Sequence, residues 1–489
     1  MKKYLFIFIL LLAIFFRFFW LNSIPPAIYV DEAYNALDAA RANDSGNYQL
    51  FYPENDGREG LFINLQAMVW RVFPAGEPWT LRLPSAVLGV LTVLGLWLLV
   101  KILFADRQFF RKVADWSALF LATSVWHITF SRIGFRAIMA PFFLVWSLYF
   151  LLLVWQNKSR WRFVFLFLVG LFYGLGFHTY IAYRVTPLLI LAVFIWHYLD
   201  SRCLIRRVKE GLVFLAGSIV SIFPLVFYFL HHPESFFDRI DQLLIFSQPN
   251  WAWLLLKNFL FFIGQFFIMG DANARHNFSY LPALSAFAIL GIVFLLLVLR
   301  DKKVGKLVGH HFWWLALAWF VVGALPAIFS FEGNPHFLRS IMVLPLMMIM
   351  PALGIALVDD LYLSSAVFPV LARKIFLVVG ILLLIIQAGV QYFVLYGGSV
   401  FTKNAFNYQC LEFADTIKSL PPREKKYIQV EPYPSKPGLV SGCFFETMFY
   451  TNSFTTQNQQ AQNIYYFVGN QNPPDTRDGH LFILNFFAK

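Results

Sequence analysis

The chain has 489 residues, of which 59% are hydrophobic and 13% charged. Soluble domains carry roughly 25% charged residues, so an ordinary aqueous globule is excluded and lipid is the solvent for most of this chain. The net charge of +12 sits in short basic islands between apolar runs, the pattern of topology signals rather than the clustered footprint of a nucleic-acid binder.

A membrane-crossing helix needs about 20 mostly apolar residues. Such runs occur at 4–21, 83–104, 114–131, 137–155, 163–181, 185–199, 211–230, 281–299, 312–330, 338–358 and 374–396. They predict an all-α polytopic membrane protein with about eleven spans. The opening Met-Lys-Lys and its apolar run read as an uncleaved first span, because Arg17 interrupts the run and no A-x-A site follows. The run 251–269 is apolar too. Counting it as a span would put the next basic loop on the wrong side, so it reads as an interfacial or re-entrant helix.

Orientation follows from lysine and arginine. Alternate loops carry Lys101 and Lys112, Arg160 and Arg162, Arg206 and Arg207, Arg300 and Lys302, and Arg373 and Lys374, which makes them cytoplasmic together with Lys2 and Lys3. Cys203 falls in one of these basic loops. The opposite loops hold Arg41, Arg58, Arg71, Arg82, Arg132, Arg136, Arg184, Arg239, Lys257, Arg275 and Arg339. All but one of these are arginine, whose planar fork grips phosphate or carboxylate at two points. An outer face furnished this way points to an anionic ligand. For any single arginine the plainer account is snorkelling or pairing with a nearby acid.

The first outer loop, 22–80, begins where Pro25 and Pro26 end the first span. Asp31 and Glu32 then open a short amphipathic helix with Ala33, Ala36, Leu37 and Ala40 on one face. Acids at a helix start suit the dipole; a carboxylate held at the membrane surface also suits a general base acting on a hydroxyl. Farther on, Gly57-Arg58-Glu59-Gly60 precedes an apolar helix at 61–73, and the glycines allow close approach of a ligand. After the last span, residues 397–489 become richer in Gln and Asn. A helix at 404–419, strands at 427–431, 464–468 and 481–486, and a helix at 442–450 predict a small extracytoplasmic α/β domain. Cys410 and Cys443 lie in it, as a disulfide or as two separate buried thiols.

The order of motifs is P-x4-D-E-A, then the Gly-Arg-Glu-Gly turn, an apolar helix, and L-R-L-P-S-A before a long span. S-R-I-G-F-R-A (131–137), G-F-H-T-Y-I-A-Y-R (176–184), H-H-P-E-S-F-F-D-R (231–239) and N-P-H-F-L-R-S (334–340) follow. This arrangement resembles the integral-membrane glycosyltransferases of the C-type fold, in particular bacterial relatives of protein O-mannosyltransferases and aminoarabinose transferases. The resemblance covers roughly 1–396, implying a transmembrane glycosyltransferase domain there and the small domain at 397–489. It implies a sugar donor on a polyprenyl phosphate and a hydroxyl acceptor on a lipid, glycan or protein. It also implies a bacterial plasma membrane, with the N-terminus inside. Asp31 matches the family's catalytic base, and Glu32 the second acid of the pair.

A departing lipid phosphate gains charge that preorganised arginines stabilise. The resulting candidates are Arg58, Glu59, Arg184, Arg275, His276, His336 and Arg339 for phosphate or sugar, with Arg132, Arg136 and His178 in reserve. No cofactor is required by the motifs; some relatives carry a divalent ion, toward which Glu59 is the candidate ligand. The competing reading is a transporter or lipid flippase, which would show internal repeats and charges along a path through the membrane. A glycan polymerase or ligase, or a non-catalytic scaffold, completes the alternatives.

Overall fold

The structure is a computed structural model that describes residues 2–105, 111–157, 159–199, 204–236, 244–331, 334–364, 369–431, 443–469 and 476–485. Cys203, Arg239 and the end of the 231–239 motif lie outside the described residues. Two compact units emerge. One comprises Met1–Phe19, Ser85–Ser131 and Arg136–Leu395; the other comprises Trp20–Pro84, Arg132–Phe135 and Tyr396–Lys489.

The first unit is helical. Each apolar run of the sequence becomes helix, but among the described residues seven helices, rather than about eleven, are long and apolar enough to cross a membrane. These are Pro78–Leu103, Arg136–Gln156, Ile181–Leu199, Ile205–His231, His310–Ile328, Ile341–Leu363 and Val370–Tyr396. The other apolar helices are shorter. The run at 114–131 breaks into Arg111–Thr123 and Val125–Phe130 because the Ser124 hydroxyl accepts from the His127 N–H at 3.3 Å and caps a new helix. Tyr4–Phe18 and Ala286–Val298 are likewise short, as is Trp251–Phe267, the run read as interfacial.

Small residues let these helices approach closely, as bilayer interiors favour. A Cβ added to Gly217 would lie 2.1 Å from the Phe167 carbonyl oxygen, and one added to Gly354 would lie 1.9 Å from that of Gly291. The helix Leu344–Val358 is buried along nearly all its length, whereas Val370–Gly389 turns most of its apolar side chains outward, where lipid can solvate them.

The second unit holds the long loop 22–80 and the C-terminal segment. The loop helix Val30–Ser45 ends at Gly46, whose φ of 72° is the left-handed cap that glycine adopts without strain. It packs on the helix Leu61–Trp70 through Ala39, Ala42, Ile63 and Ala67, with Tyr52 beside them. Two short antiparallel strands, β1 (Phe51–Tyr52) and β2 (Arg58–Glu59), join the helices. In the C-terminal segment β3 (Lys425–Val430) is the centre of a parallel three-stranded sheet, flanked by β4 (Ile464–Val468) and β5 (Gly479–Leu484). The helices Tyr408–Ser419 and Cys443–Tyr450 accompany it, and Cys410 and Cys443 are joined as a disulfide. Their small core includes Ile417, Ile428, Val430, Ile464 and Leu484.

Candidate functional site

The loop helix of the second unit starts with two adjacent carboxylates in contrasting settings. Glu32 is fully buried. Its Oε1 accepts from Arg82 Nε at 3.0 Å and from the Gly134 N–H at 2.6 Å, and its Oε2 accepts from the Tyr29 N–H at 3.3 Å, closing the helix start. The Arg82 guanidinium also donates to the carbonyls of Leu21, Pro25 and Ala27, at 3.3, 3.0 and 2.5 Å. Charge-assisted bonds of this kind are roughly twice as strong as neutral ones. Glu32 is thus the fixed point from which the helix departs. Asp31, one position earlier, is only half-buried, and its Oδ1 accepts from Asn55 Nδ2 at 2.8 Å.

Asp31, Asn35 and Asp38 stand at i, i+4 and i+7, a polar stripe along one face of the helix. Arg58 closes onto it. Its guanidinium donates to Asn35 Oδ1 at 2.7 Å, to the Glu54 carbonyl at 3.2 Å and to Asp38 in a buried ion pair. Burial pushes the Asp38 carboxyl above its ordinary range, Glu54 adds to this, and Arg58 and Arg41 pull against it. Arg58, singled out for phosphate, therefore braces the loop. Asp38 was not singled out from the sequence, yet its seven-residue spacing from Asp31 was the available signal. Glu59 is buried in β2 beside Arg58. Among the described residues it belongs to neither group of side chains that could together hold a metal ion.

The remaining candidates belong to the first unit. Arg184 lies over the rings of Phe229 and Phe236, 5.3 and 4.8 Å from their centres. His178 is engaged with the Ser221 carbonyl at 2.9 Å. Arg275, His276, His336 and Arg339 come from two loops that meet at Asp271, which the sequence did not single out as a candidate. Asp271 Oδ2 lies 2.8 Å from His276 Nδ1 and 4.0 Å from His336 Nδ1. The same oxygen accepts from the Phe337 N–H at 2.8 Å, and Oδ1 accepts from the Asn273 N–H at 2.8 Å.

Burial alone would raise the Asp271 carboxyl; its contacts with His276, His336 and Asn273 outweigh burial and hold it below its ordinary range. Burial lowers His336 to about 3, with His276 and Arg339 pressing the same way against Asp271. Packing makes the cluster rigid: Phe130 lies against His276, and Trp126 stacks on Phe337 while donating to its carbonyl at 3.1 Å.

Residues 61–228 match a family model described as dolichyl-phosphate-mannose-protein mannosyltransferase. No curated protein matches the chain. Solved structures do. The oligosaccharyltransferase of Archaeoglobus fulgidus, crystallised tethered to an acceptor peptide, is 14% identical with a TM-score of 0.53. That match covers 92% of this chain and 63% of the other, so this chain spans less than two thirds of that protein's length. ArnT from Cupriavidus metallidurans bound to undecaprenyl phosphate is 14% identical with a TM-score of 0.53, over 94% of this chain and 89% of that one. Its apo form gives 0.51 at 13% identity, covering 87% and 82%. This chain is accordingly an integral membrane protein with the C-type glycosyltransferase fold.

Proposed function

We propose that this protein is a glycosyltransferase that moves a sugar from a polyprenyl-phosphate donor to a hydroxyl acceptor on the extracytoplasmic side of the membrane. The observation that carries the reading is the pair at the loop-helix start: Asp31 half-exposed beside an immobilised Glu32. A general base needs a carboxylate held in place yet open to an incoming hydroxyl. Glu32, clamped by Arg82, supplies the holding; Asp31 supplies the base and takes the acceptor proton as oxygen attacks the anomeric carbon. The bond from that carbon to the lipid phosphate breaks, and the phosphate leaves with the electron pair.

Arg275 and Arg339, with Arg184, are the arginines we assign to that leaving charge. Arg58 we assign to the loop framework, since its guanidinium already serves Asn35, Asp38 and Glu54. The undecaprenyl phosphate bound to ArnT and the acceptor peptide on the oligosaccharyltransferase support the reading of a lipid-linked donor and a separate acceptor. The setting we propose is a bacterial plasma membrane, with the N-terminus and the basic loops inside.

The test is transfer from radiolabelled polyprenyl-phosphate sugars by the purified protein, with membrane extract as acceptor. Asp31→Asn keeps the shape and removes the basicity, so turnover should fall by about 10²–10⁴-fold while expression and donor binding persist. Near-normal turnover would remove Asp31 as the base.

A further inference from the structure

The helices Met139–Gln156 and Arg162–Leu175 enclose between them an apolar groove of about 690 Å³. Phe150 and Val154 of the first helix and Leu168 and Phe172 of the second line it, each pair at the four-residue spacing that shares one helix face. From Phe150 to Asn157 the helix advances about 1.5 Å per residue, so the groove is roughly 10 Å long. That fits within one leaflet of a hydrocarbon core about 30 Å thick. Leu168 is exposed, so the groove is open to the surrounding lipid.

The mouth of the groove is polar, with Asn157 and Ser159 lining it. The Ser159 hydroxyl accepts from the Trp161 N–H at 3.1 Å, and its own proton meets no acceptor among the described residues. Arg160 follows, exposed, its guanidinium 5.4 Å from the centre of the Trp161 ring. Trp161 is exposed as well, as aromatic residues at a membrane boundary are. Arg162 then turns inward, with Nε 2.8 Å from Glu210 Oε1. Glu210 is fully buried, and Arg206 and Arg207 also reach it, at 3.3 and 3.1 Å. Three guanidiniums thus share one carboxylate, and Arg160 adds a further positive charge.

We propose that this groove binds one acyl chain of an acidic glycerophospholipid, whose phosphate rests at Ser159 and Arg160 in the positive field of Arg162, Arg206 and Arg207. Basic pockets between membrane helices hold acidic headgroups in this way. Topology alone asks only for positive charge near the span ends, wherever it points. Here a buried carboxylate fixes the guanidiniums beside a groove whose mouth offers a hydroxyl donor. An ethanolamine or choline headgroup would bring its own cation into this surplus, and the one described carboxylate there is buried and taken. The helical segment Arg136–Gln156 is long enough to cross the membrane. Its groove end therefore lies on the face opposite the end that follows Gly134, whose N–H holds Glu32. The lipid at this site is accordingly not the sugar donor, and the inference does not rest on the transfer reading.

The experiment counts bound lipid rather than turnover. The full chain, purified in detergent and delipidated, is incubated with equal amounts of dioleoylphosphatidylglycerol and dioleoylphosphatidylethanolamine, and its adducts are counted by native mass spectrometry. The wild type should retain one phosphatidylglycerol with a preference of about fivefold or more, as expected of basic side chains at an anionic headgroup. Arg160→Gln should weaken that retention about fivefold. Leu168→Trp fills the groove and should abolish the adduct, whereas Phe163→Trp, at an exposed position outside the groove lining, should keep it. The comparison of the two lipids on the wild type needs no variant to fold. Equal retention of the two lipids, or full retention of phosphatidylglycerol by Leu168→Trp, would overturn the proposal. Displacement of phosphatidylglycerol by an equimolar amount of undecaprenyl phosphate would also overturn it and reassign the groove to the polyprenyl lipid.

Discussion

In the long loop 22–80 two buried arginines are each matched to a buried carboxylate: Arg82 holds Glu32 and Arg58 holds Asp38. In the loops around Asp271 the proportions invert, and one carboxylate gathers two imidazoles. The first arrangement cancels charge and builds a rigid frame, at the cost of taking four ions out of water. The second leaves nitrogen lone pairs clustered in a place from which water is largely excluded. The arginines of these loops therefore have two meanings in this chain, and only the partners of each guanidinium separate them.

The comparison is most easily broken at Arg58. Removing one member of a buried ion pair typically costs about 3–5 kcal/mol, because the other charge is stranded. Arg58→Met should lower the melting temperature sharply, and Arg58→Met with Asp38→Leu should recover much of the loss. If the single variant is as stable as the wild type but binds donor poorly, Arg58 belongs with the phosphate after all. Next in size is Arg339→Lys, which keeps the charge and removes the fork. We expect kcat/KM to fall about tenfold, on the order of one charged hydrogen bond, with stability unchanged; unaltered kinetics would place Arg339 in the framework.

The smallest effect is expected at Asp478, which pairs with Lys425 and accepts from Tyr427 at 2.7 Å at the exposed starting ends of β3 and β5. Hydrogen bonds from Lys425 and Tyr427 hold its carboxyl below the ordinary range. Its share of stability is thus present above that range and fades as the pH falls through the lowered value. Exposed pairs contribute little, so Asp478→Asn should leave the thermal melting curve at neutral pH unmoved. A clear shift would mean that exposed and buried pairs in this unit are not as different as their burial suggests.

Much of the fold was legible because lipid imposes its pattern on the sequence: the apolar runs became helices, and the strands near 427, 464 and 481 formed where alternation and turn residues placed them. Span lengths were less legible. A single hydroxyl at Ser124 divides one run, and hydropathy averaged over a window does not register a cap. Asp31 stood out by its position just beyond a span. The Arg58–Asp38 pair did not, because it depends on the β1–β2 hairpin folding Arg58 back across 20 residues. Asp271 and Phe337 are 66 residues apart, and no local pattern announces that their loops meet. The disulfide between Cys410 and Cys443, left open by the sequence, joins two helices that flank β3.

The neighbouring acids at the loop-helix start differ by about 100° around the axis, the turn that one helical step imposes. One of them is consequently committed to Arg82 and Gly134 and the other is turned away from that clasp. Exchanging the two side chains would preserve mass, charge and composition. It would nonetheless shorten the clasped acid by one methylene, about 1.5 Å, and lengthen the open one by the same amount. What this stretch of chain encodes is the order of its two acids, and a count of charges, however accurate, is blind to it.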